Sequence, residues 1–274
     1  LRLVKEAHKI FGRSALILSG GGALGLFHLG VVKALHRQGL LPEILSGASM
    51  GAIVAGGACT RSDSELEQMW ASVEQVHRRA AKLQAPSSWA RTKSLLSPGL
   101  LREHVEANLQ DDTFLAAYQR SGRVLCVAVS PVRRRQKPRL LNYITSPDVR
   151  VVDAAVASSS LPALWPPAEL MRRGEGGGLR PYIDGELWVD GALHGDVPKM
   201  RLGRRLNVNH HIVSQANPHV LPFVKLEGSK GMVPATVDAV TTSARAQGRL
   251  ALNLARRRRG EHSLWRPGLE VAHA

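Results

Sequence analysis

Ser14-Ala15-Leu16-Ile17-Leu18-Ser19-Gly20-Gly21-Gly22-Ala23-Leu24-Gly25 is a short apolar run that breaks into glycines. An apolar run without polar alternation fits a strand buried on both faces, as in a parallel sheet. From Ala23 to Gln38 the residues Leu26, Leu29, Val31, Val32 and Leu35 recur at helical spacing, and Gly39 supplies a stop. Glu43-Ile44-Leu45-Ser46 gives a second strand. It is followed by Gly47-Ala48-Ser49-Met50-Gly51 and a helix of small apolar residues through Ala58. Strand, glycine turn, helix, strand, sharp turn and helix open a three-layer α/β/α fold around a mainly parallel central sheet.

Further along, Ser62-Asp63-Ser64-Glu65 offers a capping box for a helix to about Leu83, and residues 84–99 read as a loop. A helix starts near Pro98, whose missing N–H does no harm in a first turn. Arg123–Ser130 and Arg139–Ile144 read as strands around the basic turn Arg133 to Lys137. Asp148 to Ser158 reads as a helix ended by Pro162, Gly174 to Gly178 as a loop, and His211–Ser214 as the last strand. Val237 to Arg259 has the pattern of a basic amphipathic helix ending in Arg256-Arg257-Arg258-Arg259. There is no internal repeat.

The chain has 274 residues, 44% of them hydrophobic, which suffices for a sizeable core and excludes a disordered chain. A net charge of +15 favours an anionic partner, whether membrane, nucleic acid or acidic protein. Aromatic residues are only 4% and do not interleave with the basic clusters, so stacking on single-stranded nucleic acid is disfavoured and no nucleic-acid partner is expected. Cys59 and Cys126 have no metal-ligand spacing and indicate no disulfide framework. No stretch is long and apolar enough to span a bilayer, and the first residues do not resemble a signal peptide. An intracellular, cytoplasmic protein with peripheral association to a lipid surface is the expectation. The chain begins at Leu1 rather than methionine, as a fragment or processed form would.

A serine hydroxyl becomes a useful nucleophile only when exposed, oriented and paired with a base. Gly47-Ala48-Ser49-Met50-Gly51 matches the G-x-S-x-G elbow and lies between strand and helix, where a tight turn presents Ser49. Gly47 and Gly51 are needed where side chains would strike the neighbouring strand and helix. Gly20 to Gly25 formally matches G-x-G-x-x-G, but the second strand ends in the elbow rather than in the acid that would hold a ribose. An oxyanion hole fits better, with open N–H groups at a helix start beside the elbow. For the base, His194, His210, His211 and His219 all follow Ser49, and none stands out; one of His210 and His211 is expected to be buried and structural. Asp190, at the end of a short apolar run and followed by Gly191-Ala192, does stand out. A carboxylate beside the serine can take its proton if burial raises its proton affinity. Asp184-Gly185 is a rival whose ordinary reading is a hairpin turn.

In this order the three motifs resemble the patatin-like phospholipase family, over roughly Phe11 to Pro222. That resemblance implies a Ser-Asp dyad without histidine or metal, acting on lipid acyl esters without a cofactor. It makes Ser49 the nucleophile and Asp190 the base, and puts Gly20, Gly21, Gly22 and Gly25 at the oxyanion hole. Leu206 to His219 is similar to the triacylglycerol-lipase branch, in which Asp-Leu-Pro follows the Asp-Gly segment, here Asp196-Val197-Pro198. The implied layout is a possible remnant of an N-terminal extension at 1–13, a catalytic domain at 14–222, and a basic C-terminal helix and tail at 223–274. The implied partners are an acyl glycerolipid substrate and an anionic membrane or lipid-droplet surface. Many patatins carry a basic residue where this chain has Leu24, so no ionic role is transferred there. No histidine has an aspartate five positions later, so the acyltransferase motif of some relatives is absent. On the residues alone, two rivals stay open: a catalytically idle membrane-binding scaffold and a dinucleotide-binding enzyme.

Overall fold

β1 (Arg13–Leu18), β2 (Ile44–Gly47) and β3 (Val124–Pro131) form the middle of the sheet, and the last two are buried along their whole length. In this computed structural model the described residues are 11–70, 98–133, 136–161, 165–191 and 198–216. All of them fall within one unit, Leu1–Asn217. The expected course of a helix to Leu83, the loop beyond it and the basic C-terminal helix lie outside the described residues, as does Ala192.

The sheet order is β4-β3-β2-β1-β8, with β4 at Arg139–Leu141 and β8 at Val208–Ser214. β1 runs parallel to β2 and β8, and β2 runs parallel to β3, as two consecutive strand-turn-helix units require. Two antiparallel strands complete it: β4 and the short β7 (Trp188–Asp190), both paired with β3. Alternation along the strands divides the core in two. Leu16, Leu18, Leu45, Leu125 and Val127 face one layer of helices. That layer contains α1 (Phe27–Arg37), α2 (Met50–Cys59), α3 (Pro98–Asn108), α4 (Phe114–Ser121) and α5 (Val151–Ser159). Ala15, Ile17, Ile44, Val124 and Cys126 face the other way, where Leu202 and Leu206 of α6 (Lys199–Leu206) cover them. This is the α/β/α sandwich expected from the sequence.

Several boundaries differ, each for a local reason. The chain leaves the glycines through a 3-10 turn, Gly22–Leu26, before α1 begins. β4 stops at Leu141 because Asn142 Oδ1 accepts the N–H groups of Ile144 (2.9 Å) and Thr145 (3.0 Å). α5 starts only at Val151, since Val149 is held extended by an antiparallel bridge to Arg172. Gly174 to Gly178 is the tight end of a hairpin joining β5 (Met171–Arg173) to β6 (Leu179–Pro181). The capping box forms as read: Ser62 N–H donates to Glu65 Oε2 at 2.7 Å, and Glu65 N–H to Ser62 Oγ at 3.4 Å. Both cysteines are free and buried, and burial pushes the Cys59 thiol up to about 12. Among the described residues no helix is long and apolar enough to cross a membrane.

Candidate active site

Ser49 lies between β2 and α2 with φ 54° and ψ −126°. For a residue with a side chain this is a sparsely populated region, costing about 1–3 kcal/mol. The flanking glycines explain how so tight a turn closes. A Cβ on Gly47 would collide with the Gly51 carbonyl and Ala52 N, and one on Gly51 would collide with the Leu18 and Ser19 carbonyls. Backbone cannot move aside cheaply. Gly51→Ala is therefore expected to destabilise by about 3 kcal/mol, roughly 6–12 °C in Tm. Gly30→Ala, with open space around it in α1, is the control and should be neutral or gain up to about 1 kcal/mol. Thermal melts of the two variants check both.

The backbone of Ser49 is tied down by a residue the motifs did not point to. Ser49 N–H donates to Ser158 Oγ at 3.0 Å, and that hydroxyl donates to the Ala128 carbonyl of β3 at 2.8 Å. Ser158, in the last turn of α5, is fully buried. The signal available was a serine closing an apolar helix, which must find partners if buried.

The glycine loop meets the elbow as expected from adjacent parallel strands. A Cβ on Gly20 would stand 3.3 Å from Ser49 Cβ. The N–H groups of Gly20, Gly21 and Gly22 donate to no acceptor among the described residues. The same holds for the N–H of Met50, the residue after Ser49 and a donor the sequence reading did not include. Such groups at the start of α2 and of the 3-10 turn suit a developing oxyanion. Gly25 has a different part: a Cβ there would come within 2.5 Å of Met50 Cβ, so its absence lets the 3-10 turn pack on the elbow. Leu24 N–H closes the turn onto the Gly21 carbonyl at 3.2 Å.

Asp190 is 1% exposed, and its N–H donates to the Ser160 carbonyl at 3.1 Å. Its position relative to the elbow follows from register. Val129 pairs with Arg139 on one side and with Asp190 on the other, so β7 occupies the β2 side of β3. β2 ends in that lane with Gly47 opposite Val127. Gly47 and Asp190 thus stand two β3 residues apart, about 7 Å along the strand. Gly191 packs so closely on Ala128 that a Cβ would strike its carbonyl, the same carbonyl that holds Ser158. The rival Asp184 is exposed in a turn that Gly185 completes at φ 66°.

The histidines turn out otherwise than expected. His210 is exposed and His211 half-buried, because β8 is a partly open edge strand. His194 and His219 lie outside the described residues. The fully buried histidine is His28 in α1, whose Nε2 lies 3.0 Å from the Ser19 carbonyl and Nδ1 2.8 Å from Ser214 Oγ. Burial lowers its pKa, opposed by the carbonyl contact.

A G-x-S-x-G elbow and a glycine loop with unspent N–H donors lie side by side at the carboxyl ends of parallel strands, the arrangement that α/β serine hydrolases use. The model of the patatin-like phospholipase family matches residues 16–200, and the chain belongs to that family. It is 37% identical over 245 residues to triacylglycerol lipase SDP1L of Arabidopsis thaliana, covering 83% of this chain and 30% of that protein. It is 41% identical over 220 residues to a patatin-like phospholipase domain-containing protein of Yarrowia lipolytica, covering 78% and 27%. With triacylglycerol lipase ptl3 of Schizosaccharomyces pombe it shares 39% over 231 residues, covering 78% and 47%. The chain therefore spans less than half the length of each of these relatives.

Proposed function

We propose that the chain is the catalytic part of a lipid acyl hydrolase, with neutral glycerolipid as preferred substrate and phospholipid as second. The observation that carries this is the strained Ser49 beside a loop of unspent N–H groups, in a family whose relatives here include two named triacylglycerol lipases. In this reading Asp190 accepts the Ser49 proton as Oγ attacks the ester carbonyl. The Gly20 to Gly22 N–H groups hold the oxyanion while the alcohol leaves with that proton. Water activated by the same aspartate then hydrolyses the acyl-enzyme. The catalytic unit is residues 14–222, and 223–274 is a basic segment that docks on an anionic lipid surface.

Exposed apolar side chains near the site support a lipid partner. Phe27, directly after the 3-10 turn, is 72% exposed. Val132 and Leu187, joined by a backbone hydrogen bond, are exposed where β3 leaves the sheet at its carboxyl end. The test is a fluorophosphonate probe followed by peptide mapping, then fatty-acid release from triacylglycerol, diacylglycerol and phosphatidylcholine. The adduct is expected on Ser49, with release fastest from triacylglycerol. A protein that takes up no probe is not a serine hydrolase.

A further inference from the structure

Ser19, between β1 and the glycine loop, has every polar group engaged. Its N–H donates to the Ser214 carbonyl at 3.0 Å, and its Oγ donates to the Gly20 carbonyl at 2.7 Å while accepting the Ala216 N–H at 2.9 Å. Its carbonyl is the one that meets His28 Nε2 at 3.0 Å. A carbonyl only accepts, so the ring hydrogen sits on Nε2. In the neutral ring that burial favours, Nδ1 then holds a lone pair, and Ser214 Oγ, 2.8 Å away, donates to it. Ser214 ends β8 and His28 lies in the first turn of α1, so the ring links two elements beneath the loop.

The consequence lies in the peptide planes. No peptide among the described residues is cis, and in a trans peptide the N–H points opposite to the preceding carbonyl. Fixing the Ser19 carbonyl on His28 fixes the direction of Gly20 N–H. Fixing the Gly20 carbonyl on Ser19 Oγ does the same for Gly21 N–H. Both N–H groups are without acceptors among the described residues, and the Cα of Gly20 turns its open side to Ser49. Glycine has no Cβ to resist rotation of these planes. Without a partner on the Ser19 carbonyl this plane loses a restraint, and a carbonyl oxygen turned toward Ser49 would repel an oxyanion instead of holding it.

We propose that His28 is a positioning residue for the oxyanion loop, acting through the Ser19 carbonyl and oriented by Ser214. The inference rests on the acyl-hydrolase reading above. Two amides of nearly equal polarity separate the two ring contacts. In His28→Gln the side-chain NH2 can take the place of Nε2 and keep the bond to Ser19. In His28→Asn the amide reaches only the Nδ1 position, toward Ser214. Hydrolysis of a short-chain nitrophenyl ester, corrected for folded protein by thermal melting, is expected to show kcat down about 100-fold in His28→Asn. KM should stay within about threefold, and His28→Gln should retain kcat within about tenfold of the native protein. Equal kcat in the two variants, or a loss confined to KM, overturns the positioning role. The native protein is labelled with the fluorophosphonate in parallel. Absence of an adduct there shows that the acyl-hydrolase reading itself has failed, and the inference falls with it.

Discussion

Ser49→Ala is expected to lower kcat for ester hydrolysis by at least about 10,000-fold and to abolish fluorophosphonate labelling. The magnitude follows from the chemistry: without Oγ no acyl-enzyme forms, and only binding and the oxyanion donors remain to assist water. The fold should survive. Alanine keeps the Cβ that already tolerates φ 54°, and the anchoring bond to Ser158 comes from the backbone N–H, which every residue but proline supplies. Ser49→Gly sharpens the point, because glycine adopts that conformation without cost. It should be as inactive as Ser49→Ala but more stable by about 1 kcal/mol. Inactivity with raised stability would mark the elbow as a site where strain is kept for function. Activity retained in Ser49→Ala would remove the nucleophile from the mechanism.

The second large effect is expected at Asp190. Asn keeps the shape of the side chain but cannot take a proton, so Asp190→Asn should lower kcat about 1,000- to 10,000-fold with KM little changed. The variant should fold, because the backbone bond from Asp190 N–H to Ser160 and the packing of Gly191 on Ala128 are untouched. Asp184→Asn, on the exposed turn before β7, serves as the comparison and should stay within about twofold of native activity. A reversal of the two results would transfer the base to Asp184. Full activity in both would leave a dyad without support and return attention to the histidines.

The parts of the molecule legible in the sequence are those whose cause is local. The apolar runs at β1 and β2, the glycines between them and the elbow all encode their structure within a dozen residues, and they define the parallel core. α4 carries local signals of the same kind, with Thr113 accepting the Ala116 N–H and Gly122 ending the helix at φ 68°. Other features have no local cause. Met171-Arg172-Arg173 pairs as a strand despite carrying no alternating pattern, because β6 comes back alongside it. α6 is only eight residues long and buries Leu202 and Leu206 alone, too few apolar positions to read as a repeat. His28 and Ser158 sit in apolar helices, and their partners come from β8 and from the elbow, far along the chain. A polar residue in such a helix announces that a partner is needed but not which one.

β7 meets β2 head to head in one lane beside β3, with opposite chain directions. If Asp190 is the base, as proposed, three residues of pairing act as a ruler that sets its place along β3 relative to the elbow. A slip of one residue would bring Val189 to the working position and turn Asp190 to the other face of the sheet. Loss or gain of a residue in the turn at 184–187 would therefore displace both the proposed base and Trp188, which β7 buries in the core. Length in that turn, more than its composition, is what such a protein has to keep.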